Sequence, residues 1–442
     1  MIAIIGGGCS GLLVAAQLFR RDWPGEVALV ELRERPGRGL AYSTPWSEHL
    51  LNVPAGRMSA YPDEPAHFVK WLQDNKIAGA GEHAFVPRSV YGDYLEQTLA
   101  ATGKKFRHVR AEAIDVESDK SGVTFILSNG ARLKADKAVL ALGNRASQTV
   151  PGRVSAAARA RCYESPWLEG ALRVEPDSRE RILIIGTGLT AIDAVLALEA
   201  QSPTVRVDLI SRRGLVSQPH RAGLTQKIDP IVTGPIRLRA LCREVRRQIK
   251  KLEAEGIDWR VAIDSLRPVS NDLWQQLDFE ERRRFSRHLR PYWAIHRHRM
   301  APEIEEKIAR YQREGQMQVH AGRVVEIDTK GKWLEAKIAL RGGKSLRLEA
   351  DRVINCVGVE ERYRDSVRPL IGQLLTKGFA CVNEMGVGFS TDADGALVDK
   401  TGNVSSCLFA MGPTRSGALF ETTAVPEIRV QAERVARRLI EG

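Results

Sequence analysis

A chain of 442 residues, 43% of them hydrophobic, can bury a large core and should divide into two or three domains; none of its apolar runs approaches the roughly eighteen residues of a membrane helix. Six scattered cysteines show no C-x-x-C and no zinc-like spacing and are expected to be reduced and mostly buried, with pairing of distant cysteines in space left open. The net charge of +12 is confined to residues 201 to 350, which hold 31 Lys/Arg against 19 Asp/Glu; the excess is either a set of solvated faces or an anion-binding surface for a phosphorylated cofactor, an acidic substrate or nucleic acid.

The apolar strand Ile2-Ala3-Ile4-Ile5 opens the sequence, so no leader peptide is expected and the protein is placed in the cytoplasm. It runs into Gly6-Gly7-Gly8-Cys9-Ser10-Gly11 and a helical pattern from Leu12 to Phe19. This G-x-G-x-x-G spacing suits a dinucleotide. Gly6 turns the chain, Gly8 lets a pyrophosphate approach bare backbone, and Gly11 packs helix on strand. The helix N-terminus, with Ser10 in its first turn, faces the phosphates. The next apolar run, Val27 to Val30, ends in Glu31, about twenty residues past the last glycine, where a carboxylate accepts ribose hydroxyls.

The stretch from Arg35 to Met58 is dense in glycine and proline and reads as a long loop covering the nucleotide, with His49 and Asn52 as its polar candidates. Helices follow at Phe68 to Leu72 and Tyr91 to Leu99. Then comes an expected antiparallel meander of Phe106 to Arg110, Ala113 to Val116 and Val123 to Leu127. A buried strand, Lys137 to Leu142, ends on Gly143.

The opening pattern then repeats. Arg181 to Ile185 leads into Gly186-Thr187-Gly188-Leu189-Thr190-Ala191 and a helix, giving G-x-G-x-x-A after a strand. The following strand, Val205 to Ile210, ends in Ser211-Arg212-Arg213 where the first copy has Glu31. An acid suits a free 2′-hydroxyl, whereas arginines suit a 2′-phosphate, so NADPH is expected over NADH at this second site.

From about 224 to 315 the α/β rhythm gives way to polar, charged helices, an expected helical insertion. Its His296 and His298 lack further ligands at metal spacing, and no metal is expected. A second meander spans Val319 to Leu348, and the buried strand ending at Gly358 echoes the one ending at Gly143. The C-terminal helix is expected to start at Pro426 with Thr422 or Thr423 as its cap.

With these motifs in order, the sequence resembles the two-dinucleotide-binding-domain flavoproteins over nearly its whole length. The resemblance implies an α/β fold of two Rossmann-like, glutathione-reductase-type domains. FAD would lie in a discontinuous domain (1–155 and 350–442), and NAD(P) in a domain inserted within it (156–349) that carries the helical insertion. It implies cofactor contacts at Gly143, Gly358, Gly412, Thr423 and Ala424, with Pro413 standing where an aspartate is commoner. More narrowly, Gly37 to Tyr42, His49 to Ala55, Ser165-Pro166-Trp167 and Glu421 to Gln431 are similar to a group of bacterial FAD/NAD(P)-binding proteins, distant relatives of the flavin N-hydroxylating monooxygenases. The F-x-G-x-x-x-H-x-x-x-W/Y signature of those enzymes keeps a serine and an aromatic here, with Glu164 near the place of its histidine.

The resulting expectation is an FAD-dependent, NADPH-using oxidoreductase, a monooxygenase acting on a small molecule, an anion being one option. NADPH would be held by Gly186, Gly188, Ala191, Arg212 and Arg213. His49, His220 and Glu421 are the candidates for any proton transfer. Three alternatives stay open: a reductase with a non-disulfide acceptor, a nucleic-acid-associated flavoprotein, and a slow redox sensor.

Overall fold

Each glycine turn is the seed of its own parallel sheet. The computed structural model describes residues 1–119, 122–144, 149–224, 226–232, 237–358 and 362–442; of the expected insertion, residues 225 and 233–236 lie outside that set. Among the described residues the first sheet runs Ala396–Val398, Val404–Ala410, Lys137–Leu140, Ile2–Ile5, Val27–Val30, Arg107–Val109. Ile5 pairs in parallel with Val30 on one side and Leu140 on the other. All four residues of Ile2–Ile5 are buried because both faces of the sheet are covered. Ile2 and Ile4 pack with the helices Cys9–Arg20, Arg88–Ala100 and Val425–Glu441, while Ala3 and Ile5 pack with a three-stranded antiparallel sheet and the helix Pro369–Thr376.

The second sheet is ordered Ser345–Ala350, Trp333–Leu340, Met317–Lys330, Arg206–Ser211, Arg181–Ile185, Arg352–Asn355, Cys162–Tyr163, with Arg153–Val154 beside the long strand. That long strand begins as the parallel partner of Arg206–Ser211 and continues as the antiparallel partner of Trp333–Leu340.

Several sequence expectations need correction. Arg107–Val109 is no meander strand; it forms the edge of the parallel sheet beside Val27–Val30, and the meander consists of Ala113–Asp119, Gly122–Leu127 and Arg132–Ala135. Arg352–Asn355 pairs with Arg181–Ile185. Arg153–Val154 likewise pairs with the long strand of the second sheet. The physical reason is the duplication itself: in each copy a later buried strand lies on the far side of the first, Lys137–Leu140 beside Ile2–Ile5 and Arg352–Asn355 beside Arg181–Ile185. The last helix of the expected insertion, Pro302–Arg313, buries Ile304, Ile308 and Tyr311 in the second unit's core. Of the six free cysteines, Cys356 is buried and the other five are partly exposed. The C-terminal helix is capped by Ala424 without a side-chain bond; Thr422 Oγ1 instead lies 3.0 Å from Ser416 Oγ.

Candidate functional site

The two glycine turns are built on one plan. Gly6 has φ +104°, and a Cβ there would stand 2.3 Å from the Ala141 carbonyl oxygen; Gly186 has φ +129°, and a Cβ would stand 2.6 Å from that of Cys356. Both positions therefore demand glycine, for conformation and for space. A Cβ on Gly11 would lie 2.0 Å from Gly6 O, which is how closely the first helix rides on its turn. Gly188 has open space where a side chain would be, and Ala191 is fully buried. The helices that follow, Cys9–Arg20 and Leu189–Gln201, start at Gly8 and Gly188 with no side-chain cap and no acid in the first turn. Their leading N–H groups and positive ends are left for an anion.

A cavity of about 690 Å³ opens on the first turn. Gly6, Gly8, Ser10, Glu31 and Gly143 line it from the first unit, Pro413 and Thr423 from the C-terminal segment, and Thr190, Asp193 and Gly358 from the second unit. Glu31, its side chain 10% exposed, accepts the Arg33 N–H at 2.9 Å on Oε1. Gly412 stands behind Ser10, where a Cβ would approach Ser10 Oγ to 2.9 Å, and Ala424 caps the C-terminal helix one residue beyond Thr423. Glycine cradle, uncapped helix end and a carboxylate at the strand terminus together fit the adenosine diphosphate half of FAD. Cys9 also lines the cavity, and burial pushes its thiol up to about 12, the state of a packing group rather than a reactive thiolate. Glu164 and Trp167, the remnant of the monooxygenase signature, form part of the same wall.

His49 is held at both ring nitrogens. It is wholly buried, with Nδ1 2.6 Å from Thr44 Oγ1 and Nε2 2.8 Å from the Asp193 carbonyl oxygen. A carbonyl only accepts, so Nε2 carries the proton and Nδ1 accepts from the threonine hydroxyl. Burial lowers its pKa, which keeps the ring neutral in this role. Asp193 itself forms a two-pronged pair with Arg88, at 2.8 and 3.1 Å. Sequence reading missed both partners. The available signal was a lone acid inside the apolar helix Leu189 to Leu198, which a buried cation must answer.

His220 and Asn52 meet away from the cavity wall: His220 Nε2 donates to the Asn52 carbonyl at 3.1 Å. Burial first, then the nearby Arg299, holds His220 down to about 4. Glu421, 4% exposed, pairs with Arg297 at 3.1 and 3.4 Å, and takes its place in a buried network in which Arg267 holds Glu427 at 2.5 Å. Burial raises the Glu421 pKa. Its geometry ties the helical insertion to the C-terminal segment; neither His220 nor Glu421 is among the residues that line the nucleotide cavity.

At the second turn Arg212 stands exposed at the end of its strand. Arg213 donates to Tyr292 Oη at 3.0 Å, with its guanidinium 4.9 Å from the centre of that ring. The two arginines expected to act together are thus unequal, one exposed and one stacked on the insertion.

Residues 3–145 match a family model described as FAD-NAD(P)-binding. The fold as a whole is a two-domain, Rossmann-type α/β fold, and the solved structures that share it include two-domain FAD- and NADP-binding flavoproteins. One solved structure that it resembles is the ornithine N-hydroxylase KtzI of Kutzneria sp. 744, at 14% identity and a TM-score of 0.70 over 100% of this chain and 98% of that one. Another is the L-lysine 6-monooxygenase of Pseudomonas syringae, at 15% identity and a TM-score of 0.66 over 100% and 99%. By sequence, the chain is 23% identical over 331 residues to the uncharacterised protein YdhS of Escherichia coli K12, covering 64% of this chain and 60% of YdhS, so the match spans less than two thirds of that relative.

Proposed function

We propose that the chain is an FAD-dependent, NADPH-using oxidoreductase, and specifically a monooxygenase acting on a small molecule. The observation that carries the reading is the shared cavity. Its wall takes Ser10 and Glu31 from one glycine-turn unit and Thr190, Asp193 and Gly358 from the other, so ligands on both turns converge on one space. FAD bound on the first turn would supply hydride acceptance from the nicotinamide and electron delivery to oxygen. The chain itself supplies position. Gly8 and the helix Cys9–Arg20 face the pyrophosphate, Glu31 the ribose, and Gly188 with Arg212 the second nucleotide. The His49 and Arg88 contacts to Asp193 hold the two units in fixed relation.

The likeness to the ornithine and lysine hydroxylases supports oxygenation over simple reduction, and L-ornithine and L-lysine are the first substrates to try. Against a disulfide-reductase reading, the described cysteines are all free, and burial pushes the thiols of Cys9 and Cys162 up to about 12 and about 11. The test is to purify the yellow protein, reduce it with NADPH without oxygen, and then admit oxygen with candidate amines. A product heavier by one oxygen atom and matched to NADPH consumption is expected. Peroxide released in full equivalence to NADPH with every candidate would count against oxygenation, and a colourless protein would count against the flavin.

A further inference from the structure

The helix Leu238–Ala254 has two unlike sides. Arg239, Arg243, Arg246 and Lys250 occupy one, and Leu241, Cys242, Val245 and Ile249 the other. A helix that only covers a core buries its apolar side, yet in this helix Leu238 alone is buried. The apolar side fronts a cavity of about 460 Å³, within the ~300–1,000 Å³ span of small-molecule sites. Trp259, Trp274, Trp293 and Phe420 stand around it. A second hollow of about 1080 Å³ adjoins it and shares Leu238, Cys242, Arg246, Ile249, Glu253 and Leu289 with it. Cations dominate there. Arg247 is paired with Glu244, while Arg239, Arg243, Arg246 and Lys250 have no acidic partner within ion-pair distance among the described residues. Glu281, one of two acids on that wall, is already engaged by the Leu238 N–H at 3.1 Å.

We propose that this pair of spaces is a binding site for an amphipathic organic anion. An apolar body lies among the tryptophans and a carboxylate or phosphate head meets the arginines, with Arg246 at the junction because it borders both spaces. The orientation of the helix decides for a small molecule over a membrane surface. A helix lying on a bilayer turns its apolar side outward into lipid, whereas here that side looks inward onto aromatic rings. The anionic head follows from charge complementarity, since a neutral ligand would leave four unpaired cations at the mouth without an answer. This site is separate from the nucleotide cavity, and its occupancy does not depend on flavin chemistry.

Calorimetric titration of the full-length protein with decanoate, decanol and acetate tests the proposal. Decanoate is expected to bind saturably at one site and to weaken with added salt, decanol more weakly, and acetate not at all. Arg246→Gln, a change at the exposed mouth, should weaken decanoate about tenfold, the size of one charge-assisted contact. Val245→Trp should block the cavity. No saturable decanoate binding, or the same binding in the wild type and Arg246→Gln, would overturn the proposal. So would an absence of decanoate binding alongside salt-sensitive binding to anionic phospholipid vesicles or to DNA. Because the readout is heat of binding, failure here leaves the flavin reading standing, and failure of that reading leaves this one standing.

Discussion

The imidazole of His49 donates to the backbone carbonyl of Asp193 at 2.8 Å, across the boundary between the two glycine-turn units. The same aspartate receives both prongs of Arg88, so a single turn of the second unit's helix is bolted to the first unit by two independent contacts. Asp193→Ala leaves Arg88, 15% exposed, as a mostly buried cation without its carboxylate. Breaking a buried pair from one side costs about 3–5 kcal/mol. Thermal or urea denaturation should show a loss of that order, and turnover should fall further than stability does, because the relation between the two nucleotide turns is disturbed. A variant with unchanged stability and unchanged turnover would mean that the bolt carries neither load.

The two turns should fail separately. Gly186→Ala puts a Cβ 2.6 Å from Cys356 O at a φ of +129°, a clash confined to the second unit. The purified variant should keep its yellow colour while NADPH no longer bleaches it in the absence of oxygen. Gly11→Ala, whose Cβ would meet Gly6 O at 2.0 Å, should instead yield a colourless protein. Loss of flavin from both variants would point to general misfolding rather than to two sites.

Much of this was legible because the signals are local. A strand, a glycine turn and a helix are consecutive in the chain, and their geometry is dictated by backbone sterics at Gly6, Gly11 and Gly186. Sheet membership was legible only where the strand's neighbour was also a repeat unit. Arg107–Val109 reads as a meander strand from its alternation, but parallel pairing with Val27–Val30 depends on what the intervening helices cover. The role of His49 was out of reach for a different reason. Its partner is 144 positions away, and a histidine in a loop looks the same whether it titrates or is pinned. The aromatic cavity of the insertion was equally hidden, since Trp259, Trp274 and Trp293 come together only once three helices pack.

His220 makes stability depend on pH with a definite sign. Its folded pKa of about 4 lies below the ordinary 6.5, so the unfolded chain binds the proton more readily. Its neutral form costs nothing above pH 6.5; stability is lost as the pH falls through that value and the loss is complete near 4. Allowing for its partial exposure, the effect is about 2 kcal/mol. Urea midpoints between pH 7 and 4.5 should fall more steeply for the wild type than for His220→Asn, whose amide can still donate to the Asn52 carbonyl. Parallel curves for the two proteins would remove His220 as the source.

Arg212 and Arg213 follow the second unit's acid-for-arginine exchange, yet they are not equivalent. Arg213 is held by Tyr292 through a 3.0 Å hydrogen bond and a ring contact at 4.9 Å, so turning toward a 2′-phosphate means giving up both. Arg212 is exposed and, among the described residues, has no partner to give up. A charge-assisted contact to phosphate is worth about 1.5–3 kcal/mol, or roughly ten- to hundredfold in affinity. Arg212→Ala should therefore raise the KM for NADPH by about that factor while leaving NADH nearly untouched. Arg213→Ala should change the NADPH preference less and also loosen Tyr292. Steady-state KM values for both nucleotides in both variants decide the matter. A larger loss of NADPH preference in Arg213→Ala would show that the guanidinium leaves the tyrosine when the nucleotide binds, and equal KM values for the two nucleotides in the wild type would take the 2′-phosphate out of the site altogether.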